Sequence, residues 1–307
     1  SNTADSRILA SANRQPGVRM LSYVDRIQMV VPDRKEAVAR WQAVFGAEQL
    51  AEDGSRHLNA HRTTVQAGRS LFEFLEPAGP GPIQDFRDRW GQGLYGAGFS
   101  TPDLTALAKR LADKGCPTVE EGGRLYLGET RFGMPIVLTE DPSPAGRGYT
   151  GHIRCVYEVT NPVGDWEAAT AYYTDLFSLD DSKYCPIGSK LYGYQGTLTL
   201  FDPPNRLDRV EVVTTYEGSG AMDRFYRKRG DSLYMCYIET DDVFAMQARL
   251  EANHLRYSPG EGRPDGTNLF IHPQALFGML MGVSKTMYGW AWSGHPELAG
   301  APLGTGH

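Results

Sequence analysis

The sequence predicts an α+β protein: four β-α-β-β-β modules paired into two curved, mostly antiparallel sheet domains. Three observations predict it. Gly and Pro supply 35 and 19 of the 307 residues, a turn-rich composition that suits many short strands. Short β-branched and aromatic runs alternate with helical runs of i, i+3, i+4, i+7 spacing. The second half also repeats the first. Glu73 and Glu211, Leu94-Tyr95 and Leu233-Tyr234, and Gly133-Met134 and Gly278-Met279 recur in the same order, 138, 139 and 145 residues apart.

The elements follow in order. Residues 1–19 are polar and aperiodic and read as a tail. A β-branched strand is expected over 23–31, ended by Pro32 and Asp33. Asp33 and Glu36 form a capping box, and the helix behind it sets Ala37, Trp41, Val44 and Phe45 on one face before Gly46 closes it. Two or three strands follow, the last over 70–76. After a Pro/Gly turn at 77–82, a short helix carries Phe86 and Trp90. The second module has a strand over 94–101, a helix with Leu104, Leu107, Ala108 and Leu111, and strands near 118, 125–127 and 135–139. Residues 141–148 read as a linker. Beyond it come a strand over 152–160, a helix with Trp166, Ala169, Tyr173, Leu176 and Phe177, and strands up to Val213. A short helix around Phe225, a strand over 233–239, a helix with Val243, Met246, Gln247 and Leu250, and a strand over 280–283 complete the set. The expected domains are 20–141 and 150–285, flanked by tails 1–19 and 286–307.

Composition excludes several classes. A net charge of −6 argues against a general phosphate-binding surface, and 16 tyrosines without a basic excess argue against nucleic-acid stacking platforms. No apolar run approaches the roughly 18 residues that would span a bilayer, so neither nucleic acid nor membrane is expected as a partner. Cys116, Cys155, Cys185 and Cys236 include no CxxC spacing and read as reduced, packed thiols. No signal peptide is visible, and a cytoplasmic location is the default expectation. Residues 91–96 match GxGxxG by letter, but they follow a helix and enter a strand, the reverse of a dinucleotide-binding loop.

Certain strand ends carry a family resemblance. Phe72-Glu73-Phe74-Leu75-Glu76-Pro77, Gly93-Leu94-Tyr95-Gly96-Ala97-Gly98-Phe99, and Asn268-Leu269-Phe270-Ile271-His272-Pro273 with Gly278-Met279-Leu280 resemble the vicinal oxygen chelate superfamily. That superfamily includes glyoxalases, bleomycin-resistance proteins and extradiol dioxygenases; the local likeness is strongest to its methylmalonyl-CoA epimerase branch. The resemblance covers residues 22–285 and implies that each module pair curls into a cup. It implies His or Glu ligands on the first and last strands of each module, holding a metal that polarises substrate oxygens or stabilises an enolate.

Matched residue by residue, the first cup carries Arg26, Glu73, Gly96 and Val137 at those positions. The second carries His152, Glu211, Met235 and Gly282. A thioether suits hard or borderline cations poorly, so the metal site is incomplete. Extradiol dioxygenase ligands would fall on His152, Met235 and Gly282, and that activity is not expected.

The resemblance then implies the following roles. His152 and Glu211 would move protons as an acid-base pair or hold a divalent metal, with Tyr234 donating to an oxyanion. Arg26, Glu73, Tyr95 and His272 are the candidate substrate-binding residues, although Arg26 and Glu73 also read as a structural ion pair in an inactive first cup. The expected function is isomerase- or lyase-type chemistry on a small carbonyl, aromatic or acyl substrate. The alternative is a metal-free binding or sequestering protein of the bleomycin-resistance type. Its partner would be a small molecule and its state monomer or homodimer.

Overall fold

The structure is a computed structural model that describes residues 19–142, 147–190, 192–203, 205–260 and 265–285. The tail expected over 286–307, all but the last residue of the tail over 1–19, and the middle of the linker lie outside the described residues. The first half contains β1 (Val24–Val30), α1 (Arg34–Phe45), β2 (Glu48–Ser55), β3 (Ala60–Ala67) and β4 (Ser70–Pro77). It continues with α2 (Pro82–Trp90), β5 (Gly93–Thr101), α3 (Leu104–Asp113), β6 (Thr118–Glu121), β7 (Arg124–Leu127) and β8 (Ile136–Glu140). The second half repeats this series. It runs β9 (Cys155–Pro162), α4 (Trp166–Phe177), β10 (Cys185–Ser189), β11 (Tyr194–Leu200), β12 (Arg209–Thr215), α5 (Ala221–Arg229), β13 (Met235–Glu239), α6 (Val243–Ala252), β14 (Tyr257–Pro259), β15 (Asn268–Ile271) and β16 (Leu280–Ser284).

Each half forms one eight-stranded sheet with the same permuted order, β2-β3-β4-β1-β5-β8-β7-β6 and β10-β11-β12-β9-β13-β16-β15-β14. Within a module the first strand pairs parallel with the last, as β1 does with β4 and β13 with β16. The two modules of a half meet through their first strands, which run antiparallel. This is an α+β fold of four β-α-β-β-β modules in two curved sheets.

Local chemistry sets the helix starts. Asp33, Asp103, Asp165 and Asp242 each adopt extended backbone and accept backbone N–H groups of the first turn of α1, α3, α4 and α6. An Asp N-cap satisfies an otherwise orphaned donor and complements the helix dipole. Gly46 closes α1 at φ 63°, a left-handed conformation that costs glycine little.

Both halves contribute to one continuous apolar core. Trp41, fully buried, packs its ring against Phe45 and Phe74 at 5.5 and 4.9 Å and stacks on Phe277 of the second half at 6.4 Å. Phe99 meets Phe177 and Phe201 at 6.3 and 5.1 Å. Backbone bonds cross the same seam: His152 N–H donates to Phe45 C=O at 2.8 Å, and Gly68 bridges Thr150.

One expectation changes here. The strand expected from His152 begins only at Cys155, where pairing to Glu239 starts. His152 sits in the preceding turn, tied to the end of α1.

A polar cluster is buried along the seam. Val24 N–H donates to Asp208 Oδ2 at 3.0 Å, and the Arg69 and Arg206 guanidiniums lie 4.6 and 4.5 Å from the centre of the Tyr23 ring. Burial, then the charge of Asp208, raises the Glu239 carboxyl to about 8 from its ordinary 4.5. Glu239 is therefore neutral in the fold but ionised in the unfolded chain between those values. Unfolding releases a proton in that window, so stability falls as pH rises across it. The contribution is fully present below 4.5, is lost by about 8, and amounts to a few kcal/mol. Glu239→Gln should flatten that decline in denaturation midpoints measured from pH 4.5 to 8.

Candidate active site

The pleat assigns two faces to each sheet. In the first half Ile27, Met29, Phe72 and Phe74 join the main core. Their neighbours Arg26, Gln28 and Glu73 therefore face the concave side, inside the cup. In the second half Val159, Val210, Val212, Cys236 and Ile238 join the core, and Glu158, Thr160, Arg209, Glu211, Met235 and Tyr237 line the concave side.

Register fixes which residues correspond. Glu73 pairs with Gln28, two residues past Arg26, and Glu211 pairs with Thr160, two residues past Glu158. Glu158 therefore occupies the position of Arg26. The four facing positions of the second cup are Glu158, Glu211, Met235 and Gly282.

The first cup is filled. Glu73 is fully buried, and Arg124 Nη1 donates to its Oε2 at 2.6 Å, with Arg26 and Arg62 nitrogens at 3.6 and 3.4 Å. These guanidiniums hold the Glu73 carboxyl below its ordinary range despite the opposing effect of burial. Arg26 also pairs with Asp25 at 2.6 Å, and Arg62 with Asp53 at 2.8 Å. Val30, Leu75, Tyr126 and Val137 close the remaining space. At Gly98 an added Cβ would collide with the Arg26 side chain, so the glycine leaves room for the guanidinium stem.

The second cup is open. Its cavity measures about 850 Å³ and is walled by β9, β12, β13, β15 and β16, the β10–β11 hairpin and the start of α5. Two carboxyls meet inside it. Thr160 Oγ1 lies 3.3 Å from both Glu158 Oε2 and Glu211 Oε2, and Arg209 Nε donates to Glu158 Oε1 at 2.7 Å. Burial, then the charge of Glu158 and a hydrogen bond shared with it, pushes the Glu211 carboxyl well above its ordinary 4.5. Glu211 is thus the carboxyl that favours its proton, beside Glu158, whose Oε1 accepts from Arg209. Burial, then both glutamates, raises the Tyr237 hydroxyl well above 10 and keeps it a donor. The Tyr237 ring lies over Gly282, where a Cβ would collide with it. Gly282→Val is expected to lower stability by about 1–3 kcal/mol and to displace this ring into the cavity, readable as a shifted denaturation midpoint with weakened ligand uptake.

Residues 25–133 match the family model described as the glyoxalase/bleomycin resistance protein/dioxygenase superfamily. The matched residues lie within the first half of the chain. The glyoxalase-type fold extends over both halves. A triple mutant of 4-hydroxymandelate synthase from Streptomyces coelicolor is similar at TM-score 0.67 and 14% identity, over 86% of this chain and 92% of that one. A xylose isomerase-like TIM barrel/4-hydroxyphenylpyruvate dioxygenase fusion protein is similar at TM-score 0.57 and 12% identity, over 90% of this chain and 51% of that one. Methylmalonyl-CoA epimerase from Mycobacterium tuberculosis gives a TM-score of 0.37 at 18% identity, over 43% of this chain and 95% of that one. At these identities the likeness is one of fold. No curated protein matches the sequence.

Against this glyoxalase-type frame the sequence candidates separate. Arg26 and Glu73 do meet, inside the ion cluster of the filled cup. Tyr95 packs edge-on against Phe86 at 5.8 Å beside the same cup, its hydroxyl raised to about 12 by burial. Tyr234 lines the open cavity with its ring 5.0 Å from Phe225. His272 bonds Ser258 Oγ at 2.6 Å and is not among the cavity-lining residues.

His152 does not meet Glu211. It lies in a separate cleft of about 430 Å³ with Arg154 and Arg249, where burial and then Arg249 lower its pKa. The expected His152–Glu211 pair, as catalyst or as metal half-site, is replaced by Glu158–Glu211. The physical reason is the strand start at Cys155, which leaves His152 outside the sheet. Sequence reading missed Glu158, Arg209 and Tyr237. A signal for the first was present: Arg26, Gly96, Glu158 and Met235 each lie seven residues before a helix-capping Asp.

The donor set does not fit the divalent metal that the resemblance implied. Of the four facing positions, two lack a hard donor, one carboxylate is bound by Arg209, and the other carboxyl holds a proton. Among the described residues no three His, Cys, Asp or Glu side chains cluster as a metal site.

Proposed function

We propose that the second cup is a metal-independent proton-transfer site of isomerase or lyase type, acting on a small carbonyl-bearing substrate. The observation that carries this reading is the pair of buried carboxyls, Glu158 and Glu211, each 3.3 Å from the Thr160 hydroxyl inside the cavity of about 850 Å³. A carboxyl that favours its proton beside a second carboxyl held by a guanidinium supplies an acid and a base side by side.

In this reading Glu211 O–H donates to the substrate carbonyl oxygen while the Glu158 carboxylate takes a proton from the adjacent carbon. The C–H bond breaks, its electron pair forms the C=C bond of an enol, and the carbonyl oxygen takes the Glu211 proton. Return of a proton to the same face of that carbon gives exchange alone, and return to the opposite face completes an epimerisation. Arg209 holds Glu158 in place through Oε1, and the Tyr237 hydroxyl offers a second donor in the cavity. The test is deuterium exchange at the carbon next to the carbonyl of model ketones, followed by NMR. Exchange by the native chain with none by Glu211→Gln supports the reading. Equal exchange by both overturns it.

The sequestering reading keeps one specific support, the predominantly aromatic and aliphatic wall that includes Tyr157, Tyr194 and Phe270. Tight ligand uptake with no exchange at any pH would favour it.

A further inference from the structure

Arg209 is the sole cation among the described residues lining the second cup, and its side chain is 1% exposed. Two of its three nitrogens are engaged. Nε donates to Glu158 Oε1 at 2.7 Å, and Nη1 donates to Leu207 C=O at 3.1 Å. One face of the guanidinium lies 4.8 Å from the centre of the Tyr157 ring. Nη2 makes no hydrogen bond to a described residue. A charged donor on so deeply buried a group favours an acceptor on whatever fills the cavity. Strand register places this donor relative to the glutamates. Arg209 and Glu211 stand two residues apart on the concave face of β12, opposite Glu158 and Thr160 of β9, and two strand residues span about 7 Å. Glu158 turns Oε1 to Arg209 and Oε2 to Thr160 Oγ1, which also lies 3.3 Å from Glu211 Oε2. Nε–H and one Nη2–H leave the same edge of a planar guanidinium, so Nη2 lies beside Glu158. Glu158 is therefore flanked by Arg209 Nη2 on one side and by the Glu211 carboxyl on the other.

We propose that Arg209 Nη2 contacts the substrate directly and that the cup takes aryl β-diketones, in which one carbon lies between two carbonyls. One carbonyl oxygen accepts from Glu211, the other accepts from Arg209 Nη2, and the carbon between them meets Glu158. The C–H bond of that carbon breaks and its proton passes to Glu158. The electron pair left behind spreads over both oxygens, and the one on Glu211 takes the Glu211 proton, which gives the enol. A proton passed from Glu158 back to Glu211 restores the starting pair. A carbonyl on each side acidifies a C–H bond far more than one carbonyl does, which brings it closer to the reach of a carboxylate base. A mono-ketone leaves Nη2 unfilled. The aryl group has a suitable wall in Tyr237 and Phe270, whose ring centroids are 6.0 Å apart in the same cavity. This assignment rests on the proton-transfer reading for the roles of the glutamates, but the contact with Arg209 is measurable without turnover.

Calorimetric titration of the full chain at neutral pH tests it with two probes of one skeleton: benzoylacetone, and butyrophenone, which lacks the second carbonyl. Benzoylacetone should bind about 10–100-fold more tightly, the worth of a hydrogen bond to a charged group. Wall hydrophobicity alone would give the reverse order. Arg209→Lys keeps the charge but removes the fork of donors, and should bring the two affinities to within about threefold of each other. Circular dichroism reports whether this variant is folded, and the native comparison decides alone if it is not. Butyrophenone binding as tight as benzoylacetone binding overturns the proposal. So does full retention of the preference by folded Arg209→Lys, or an absence of binding by both probes. A preference that depends on Arg209, without deuterium exchange on the model ketones, keeps Arg209 as the ligand contact and removes the proton-transfer reading. Exchange without the preference keeps that reading and removes this one.

Discussion

Glu211→Gln is expected to remove proton transfer while leaving the protein as stable as before, or slightly more so. Glutamine keeps the size and hydrogen-bonding capacity of a protonated carboxyl but has no transferable acidic proton. The expected loss in rate is about 10²–10⁴-fold, the usual contribution of a positioned acid or base. Stability holds because Glu211 is already neutral in the fold, so the substitution removes no charge partner from Arg209, which binds Glu158 instead. The pH profile of the native chain supplies a second check. Glu211 must be protonated, so the rate should fall as pH rises through the elevated Glu211 value. Rate and pH profile come from NMR exchange measurements, and stability from denaturant midpoints. A Glu211→Gln chain with native exchange rates would place the chemistry elsewhere.

Glu73→Gln at the matching position of the first cup should behave in the opposite way. Three guanidiniums converge on this fully buried carboxylate. Replacing it by a neutral amide leaves their charges in a dry interior with too few counter-charges. Breaking one side of a buried ion cluster typically costs about 3–5 kcal/mol, and Asp25 and Asp53 offset only part of it. Guanidinium chloride denaturation should show a clear fall in midpoint, with deuterium exchange in the second cup little changed at temperatures where the chain remains folded. A midpoint within error of the native chain would show that the cluster is not a stabilising element.

These opposed outcomes at matched strand positions also mark what was legible in the sequence. Alternation and helical spacing revealed the modules, because one face of each strand and one stripe of each helix had to be apolar: Ile27 and Met29, Trp41 and Phe45. The duplication was legible because the strand-to-helix connection is conserved in length, each module helix beginning at an Asp. The residue that faces Glu211 was misread, because His152 carries the expected chemistry in its side chain while strand register is a property of backbone pairing. Counting seven residues back from Asp165, as Arg26 lies seven before Asp33, leads to Glu158 rather than to His152. Charge state was illegible at any spacing. Arg124 and Arg62 reach Glu73 from other strands, and nothing in the local sequence distinguishes a carboxylate neutralised by three cations from one that keeps its proton.

The apolar seam around Trp41 and Phe277 carries a further consequence, one of history. Two halves that began as equivalent copies now each bury the other's surface, so neither can be discarded, exchanged or inherited alone. The first cup is filled by its ion cluster, and the back of its sheet still supports the other half. Once that seam had formed, change could accumulate in the interior of either cup while the back of both sheets stayed fixed. One ancestral pocket could therefore become an ion-packed brace and the other an open, carboxyl-lined cavity without the chain ever passing through a form that lacked a core.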